Sequence, residues 1–172
     1  MTKNILFIGC GYGGEIYAYP DNGSHITALE PSDNCRLEAA KRLKKRKNVE
    51  LLPNSIFNFS SKTFDEIFLI FPVPVMLFRR CNDLALQILR LLKKNGSFTL
   101  YSEIWPENKN IMTCFACEKL SLLLKEHGLH VTEEILLLNE LPEYVRGADF
   151  LRKATKDTNL SFRKITALRT DS

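Results

Sequence analysis

The sequence predicts an α/β fold in which about seven strands form a mostly parallel sheet covered by helices on both faces. Short apolar runs rich in β-branched and aromatic residues alternate with segments of helical period along most of the chain. This alternation favours parallel strands joined by crossover helices. Between the last two runs the helical pattern is less clear, which favours an antiparallel, hairpin-like closure by the last strand. A glycine cluster directly after the first run indicates a ligand-binding edge.

The first predicted elements surround that glycine cluster. Residues 5–8 form a wholly apolar run that predicts a buried strand. After the glycines, residues 15–19 predict a short helix that Pro20 ends. A second strand is predicted at residues 25–29, and the acid Glu30 follows it directly.

The remaining elements follow from the same patterns. The strongest strand signal is the run FDEIFLIF at residues 64–71, which Pro72 and Pro74 interrupt. Asn95 and Gly96 are expected to close the helix before the fifth strand. The other predicted strands cover residues 49–52, 97–102, 130–138 and 160–168, the other predicted helices cover residues 31–47, 82–92 and 110–126, and residues 141–156 are predicted as a polar loop or helix.

The length and composition predict one soluble globular domain over residues 1–172. With 172 residues, of which 45% are hydrophobic and 26% charged, the chain is long enough to bury its own core. We expect a cytoplasmic protein without membrane contact, because no signal peptide precedes the first strand and no apolar run reaches membrane-spanning length. The five cysteines lack the spacing of a disulfide framework and are interpreted as reduced thiols. Cys114 and Cys117 have no second pair, so no metal site is predicted.

The charge of the chain gives a mild preference for an anionic partner, since the formal net charge is +4. The most basic stretch is KRLKKRK at residues 41–47. It ends a predicted helix, where cations stabilise the carbonyl end of the helix dipole. We interpret it as a solvated helix end, although it would also attract phosphate at long range.

The glycine cluster has the pattern expected of a nucleotide cradle. Glycine lets the chain turn tightly off a strand end, lets a cofactor approach the backbone and lets the next helix pack closely. Glycines also mark plain turns, but here a strand precedes the loop and Glu30 ends the next strand, about 20 residues further on. A carboxylate at that point can accept hydrogen bonds from the two ribose hydroxyls of an adenosine. The pattern therefore predicts cofactor binding.

The chain contains the segments NILFIGCGYGG, ITALEPS and FDEIFLIF and a run of seven predicted strands. In these features it resembles, along nearly its whole length, the class I S-adenosyl-L-methionine (SAM) methyltransferases. The resemblance implies a Rossmann-like fold with SAM as the cofactor. Its implied cofactor contacts are Gly9, Gly11 and Gly13 on the methionine part, Glu30 at the ribose, and Asn54 or Ser55 by the adenine. Pro31 is a further implied cofactor contact. Many members carry an acid two residues before the first glycine, where this chain has Phe7.

The fourth-strand segment FDEIFLIFPVPVMLFRR resembles, more narrowly, the bacterial tRNA (guanine-N7)-methyltransferases, in which a stretch F-P-D-P-W precedes basic residues. YSEIW and EYVRG are similar to two further segments of that family. The residues implied at the substrate are Phe71, Pro72 and Pro74 around the target base, Arg79 and Arg80 at phosphate, and Glu103 as the acid near the substrate. Val73 stands where the family has its aspartate, and Val75 where it has its tryptophan. The implied partner is tRNA or another nucleic acid.

The chemistry implied by this resemblance needs few protein groups. SAM carries an electrophilic methyl group on a sulfonium, so the protein chiefly aligns a nucleophile and excludes water. A general base helps where a proton must leave. Since valine cannot accept a hydrogen bond, the candidate bases are Glu103, Glu140 and Glu143. The alternative for Glu103 is a solvated carboxylate at a strand end, and the alternative for the proline segment is a rigid strand-to-helix connection.

Three functions are compatible with the sequence. The first is methyl transfer to tRNA or another nucleic acid. The second is methyl transfer to a small molecule, or the chemistry of an aminopropyltransferase-like relative, which the missing acid at the fourth strand disfavours. The third is a non-catalytic descendant that acts as a binding or regulatory partner, which Val73 suggests. A nicotinamide dehydrogenase is more distant, since only the glycines permit it.

Overall fold

The computed structural model describes residues 2–60, 62–72, 74–104, 111–149, 151 and 160–170. The strands in these ranges are β1 (Asn4–Ile8), β2 (His25–Leu29), β3 (Val49–Leu52), β4 (Phe64–Ile70), β5 (Leu92–Ile104), β6 (His130–Leu137) and β7 (Ser161–Leu168). The helices are α1 (Gly14–Ala18), α2 (Asp33–Leu43), α3 (Pro74–Arg79), α4 (Cys81–Leu91), α5 (Ile111–Glu126) and α6 (Glu143–Arg146), with short 3-10 turns at Ile56–Asn58 and Leu138–Glu140. No helix in the described part of the chain has the length and apolarity to cross a membrane.

The strands pair in one sheet in the order β3-β2-β1-β4-β5-β7-β6. The strands β1 to β5 pair in parallel with one another. The strand β7 is antiparallel to both β5 and β6. This confirms the predicted fold class, a seven-stranded and mostly parallel sheet with an antiparallel last strand. The last strand does not extend the sheet at an edge but lies between β5 and β6.

The central strands β1 and β4 are buried on both faces over most of their length, as expected for parallel strands that are mostly apolar. Side chains alternate between the faces. In β1, Leu6 and Ile8 join the core that packs against α4 and α5. Ile5 and Phe7 join the core that packs against α1, α2 and α6. The helices therefore leave the carboxyl edge of the central strands as the place where a ligand can reach the sheet.

One sequence prediction failed between α4 and β5. These elements follow each other directly, so Asn95 and Gly96 lie inside β5 and close no helix. The register of β5 against β4 shifts between Leu92 and Ser97, a stretch that includes this pair, and Asn95 adopts φ +59°. The Asn-Gly pair thus forms an irregularity within β5, and its backbone bonds to Arg169, with Asn95 N–H donating at 2.7 Å and Gly96 C=O accepting at 3.1 Å. The helix α3 was not predicted either.

One residue of the basic stretch at residues 41–47 makes hydrogen bonds within the chain that were not predicted. The helix α2 ends at Leu43, and the residues after it turn towards α1. Arg46 Nη1 donates hydrogen bonds to the carbonyl oxygens of Ile16, at 3.0 Å, and Tyr19, at 2.6 Å. The Ile16 carbonyl also accepts from the Tyr19 N–H at 3.2 Å, so Arg46 adds to the capping of α1 and links its end to the end of α2. The prediction of a wholly solvated helix end was therefore wrong at Arg46.

Candidate functional site

A cavity of about 250 Å³ opens at the carboxyl ends of β1 and β4. Four segments contribute to its wall: the glycine loop after β1, the start of α1, the end of β4 and the turn after α6. The residues that line it are Gly9, Cys10, Gly11, Tyr12, Glu15, Ile70, Phe71, Ala148 and Asp149. The wall thus combines bare backbone, two aromatic rings and two carboxyl groups.

The three alternating glycines of the loop have different surroundings. Gly9, Gly11 and Gly13 all adopt positive φ angles, of 67°, 51° and 75°, which favour glycine. A Cβ atom at Gly9 or Gly11 would meet no other atom within 4 Å. A Cβ atom at Gly13 would lie 3.1 Å from Leu43 Cδ1 and 3.3 Å from Ala39 Cβ. The first two glycines therefore leave open space beside the cavity, whereas Gly13 allows α2 to pack against the loop.

Glu30 holds the glycine loop in place. Its side chain is buried, with 7% exposed, and its Oε2 accepts a hydrogen bond of 2.7 Å from the Gly11 N–H. Its Oε1 accepts one of 2.8 Å from the Ser32 N–H. Each carboxylate oxygen can accept a further hydrogen bond, so the ribose contact implied by the resemblance stays a prediction.

The other predicted cofactor residues lie at the same sheet edge but outside the cavity lining. Pro31 is exposed after β2, and Asn54 is half-buried after β3. Ser55 begins the 3-10 turn and accepts a hydrogen bond from the Phe57 N–H at 3.5 Å. Their contacts with the adenosine part of a cofactor stay predictions.

Phe71 is the predicted substrate residue that lines the cavity. It follows β4 with φ +49°, a left-handed conformation that is unusual for a bulky side chain and costs about 1–3 kcal/mol. Its backbone N–H donates to the Tyr101 carbonyl oxygen at 2.9 Å, and its ring meets Phe162 edge-on at 5.9 Å. Pro72 is buried beside it, Pro74 begins α3, and Val73 lies outside the described residues.

The two predicted phosphate contacts differ in their surroundings. Arg79 and Arg80 are both exposed at the α3–α4 junction. Arg80 forms an ion pair of 2.9 Å with Asp83, and its guanidinium lies 3.6 Å from the centre of the Phe57 ring. Arg80 is therefore engaged within the chain, which lowers its availability for a phosphate group.

Glu103 is not the solvated carboxylate considered as its alternative role, since it is only 6% exposed. It lies opposite Phe162 of β7 and on the same sheet face as Tyr101. It is not among the residues that line the cavity. Glu140 and Glu143 are exposed, and Glu140 Oε2 accepts a hydrogen bond from the Leu137 N–H at 2.6 Å.

Glu15 was not predicted as a site residue, but it is a buried acid in the cavity wall with 6% of its surface exposed. Burial raises the pKa of its carboxyl group to about 8, and the nearby Asp149 carboxylate adds to the rise. A hydrogen bond from its own backbone and the Arg42 guanidinium act in the opposite direction. Asp149 itself pairs with Arg42 at 2.7 Å. The sequence signal was an acid directly after the glycines, but acids are common in any first helical turn.

The buried Glu15 carboxyl predicts an unusual pH dependence of stability for the ligand-free protein. Its pKa is higher in the folded state than the unfolded value of 4.5. Glu15 therefore favours folding fully below pH 4.5, and this contribution is lost as the pH rises towards 8. The free energy of unfolding should fall by up to about 1.4 kcal/mol per pH unit within that window.

Urea denaturation at pH 5, 6, 7 and 8 would measure this effect. The Glu15→Gln variant should lose the Glu15 contribution to the slope, whereas Glu126→Gln, at an exposed position of α5, should keep the wild-type slope. Identical slopes for the wild type and Glu15→Gln would contradict the assignment.

Comparison with known protein families identifies the class of this chain. A family model described as a methyltransferase domain matches residues 6–100, more than half of the sequence. The matched segment contains β1, the glycine loop and Glu30. The chain belongs to the methyltransferase domain family. No curated protein matches the sequence significantly.

Two solved methyltransferases and a cyclase share the fold of this family member at low sequence identity. Haemonchus contortus phosphoethanolamine N-methyltransferase 2, solved with phosphomonomethylethanolamine and S-adenosylhomocysteine, superposes with a TM-score of 0.70 at 16% identity over 99% of this chain and 49% of that one. A putative sarcosine dimethylglycine methyltransferase from Galdieria sulphuraria gives 0.69 at 14% identity, covering 99% and 79%. The [4+2]-cyclase SpnF superposes with a TM-score of 0.71 at 17% identity, over 99% of this chain and 76% of SpnF. The chain spans about half the length of the Haemonchus enzyme.

These comparisons confirm the predicted class I SAM-dependent methyltransferase family and its Rossmann-like fold. They also agree with the predicted cofactor, since methyltransferases of this fold were solved with SAM or S-adenosylhomocysteine. They give no support to the narrower resemblance to tRNA (guanine-N7)-methyltransferases.

Proposed function

We propose that this chain binds SAM at the glycine loop and transfers its methyl group to a small molecule. The observation that carries the proposal is the cavity beside Gly9 and Gly11, at the carboxyl edge where ligands bind in sheets of this type. The small-molecule ligands named for relatives of the same fold, such as phosphomonomethylethanolamine, support this acceptor class.

The residues of the cavity fit the cofactor. Gly9 and Gly11 would hold its methionine part, since a side chain at either position would occupy open space that a ligand can use. The buried carboxyl groups of Glu15 and Glu30 at the loop suit a ligand that carries positive charge. Glu30, which already anchors the loop, would hold the ribose.

The protein groups then have to position the acceptor and keep water out. Bound SAM supplies a methyl group on a positively charged sulfur. Phe71 and Ile70 form an apolar wall on the β4 side of the cavity, which excludes water from the acceptor. The Phe71 backbone N–H donates a hydrogen bond to the Tyr101 carbonyl oxygen, which holds this part of the wall against β5.

Calorimetric titration with SAM and S-adenosylhomocysteine tests the cofactor site. We expect a Kd in the micromolar range, about −8 kcal/mol. Methyl transfer from radiolabelled SAM to a panel of small amines, acids and alcohols, with bulk tRNA as a separate arm, then tests the acceptor class. Absence of binding for both ligands would favour the non-catalytic alternative and contradict the proposal.

Methyl transfer to tRNA is a second candidate, favoured by Phe71 in the cavity wall together with the exposed Arg79. Labelled tRNA, with salt-sensitive RNA binding, would support this candidate over the small-molecule one. A cytoplasmic location and a single domain over residues 1–172 belong to both proposals.

A further inference from the structure

The cavity wall contains two carboxyl groups that differ in their charge partners. Asp149 forms an ion pair with Arg42, and the two side chains are 21% and 29% exposed. Glu15 is more deeply buried, with 6% exposed, and within the described parts of the chain it has no ion pair. Glu15 is therefore the carboxyl group of this wall that can still accept a cation.

The position of Glu15 directs it to a ligand at the glycine loop. It lies in the first turn of α1, directly after that loop, and lines the same cavity as Gly9 and Gly11. The adjoining strand β1 contains no acidic residue that could compete for a cation. Phe7 of this strand is buried, and its ring stacks on Phe68 at 5.1 Å. A cation bound beside the glycines thus has Glu15 as its nearest unpaired acid in the wall.

SAM offers two cationic groups, the sulfonium and the α-ammonium. A buried carboxylate is stable only when hydrogen bonds and an opposite charge replace its lost water. The ammonium has three N–H donors, whereas a sulfonium has none. We propose that Glu15 binds the α-ammonium group of the cofactor, an inference that rests on the proposed SAM site.

Binding should then release a proton. In the ligand-free protein Glu15 is largely protonated at pH 7, since burial raises its pKa to about 8. The charged or titratable groups that face it are Asp149 after α6, Arg42 from α2, Glu30 at the end of β2 and Cys10 of the glycine loop. Pairing with the ammonium favours the carboxylate, and the displaced proton passes to the buffer. Affinity should therefore rise between pH 6 and 8.

Three ligands distinguish the parts of the cofactor that Glu15 recognises. SAM carries both cations, S-adenosylhomocysteine carries only the ammonium, and 5′-methylthioadenosine carries neither. Calorimetry at pH 7 in two buffers of different ionisation enthalpy gives both the Kd and the number of protons released. The wild type should release about one proton with SAM or S-adenosylhomocysteine, and none with methylthioadenosine.

The Glu15→Gln variant should bind SAM and S-adenosylhomocysteine about 10- to 100-fold more weakly and release no proton. Its affinity for methylthioadenosine should be unchanged, which shows that the fold and the adenosine site are intact. Glu126→Gln is the matched control and should behave as the wild type.

Each other outcome overturns the inference in a recognisable way. A loss for SAM much larger than for S-adenosylhomocysteine would assign Glu15 to the sulfonium. An equal loss for all three ligands would mean a structural role, and unchanged affinities would mean no role in binding. If the wild type binds none of the three ligands, the proposed cofactor site itself is wrong, and the inference fails with it.

Discussion

The substitution Gly11→Arg should abolish binding of SAM and S-adenosylhomocysteine, raising the Kd more than about 100-fold. Gly11 lines the cavity, and space is open beside its Cα. An arginine side chain there would occupy the volume proposed for the methionine part of the cofactor. It would also bring a positive charge to a site whose ligand is cationic, so both the steric and the electrostatic change oppose binding.

Gly23→Arg is the matched control for this prediction. Gly23 has φ +76°, and a Cβ atom there, as at Gly11, would meet no other atom within 4 Å, but Gly23 lies in the exposed turn before β2. Both variants carry the same left-handed backbone cost, about 1–2 kcal/mol. Calorimetry should therefore show near wild-type affinity for Gly23→Arg. Equal loss in both variants would mean that the backbone cost, not the cavity, explains the result.

The substitution Gly14→Ala should lower the free energy of unfolding by about 1–3 kcal/mol. A Cβ atom at Gly14 would overlap the carbonyl oxygen of Gly147 and lie 2.9 Å from Asp149 Oδ2 and 3.0 Å from Arg42 Nη1. The turn after α6 would have to move away from α1, which would weaken the wall of the cavity. Helix propensity alone predicts the opposite sign, since alanine favours a helix over glycine by about 1 kcal/mol.

Urea denaturation compared with Gly128→Ala would test this packing. Gly128 has φ +84° but open space at its Cβ position, so alanine there should cost about 1–2 kcal/mol through backbone strain alone. A Gly14→Ala variant as stable as the wild type would show that α6 does not pack against α1 as closely as described.

The fold class and the sheet edge at which the cavity opens could be predicted because their signals are local. An apolar run followed by glycines needs only adjacent residues to specify a strand and a tight turn, and Glu30 follows from its place after the next strand. These features gave the correct fold class and the correct edge of the sheet. The role of Glu30 in holding the glycine loop could not be predicted from local signals, because its hydrogen bond to Gly11 joins residues that are 19 positions apart in the chain.

The predictions that failed depend on partners far away in the sequence. The Asn95-Gly96 pair has the composition of a helix end, but its backbone hydrogen bonds to Arg169 place it inside a strand. Arg46 is one cation among several in its stretch, and only the packing of α2 beside α1 distinguishes it. The narrower tRNA resemblance rested on a short proline segment, and Val73 within it lies outside the described residues.

Local sequence patterns were sufficient to predict the α/β class, the antiparallel last strand and the glycine loop after β1, because periodicity and turn chemistry are properties of neighbouring residues. The place of β7 between β5 and β6, and the raised pKa of Glu15 in the cavity wall, became visible only in the folded chain. Burial and charge environment depend on elements that folding brings together. Arg42 and Asp149 both lie near Glu15, although Arg42 and Asp149 are 107 residues apart in the chain.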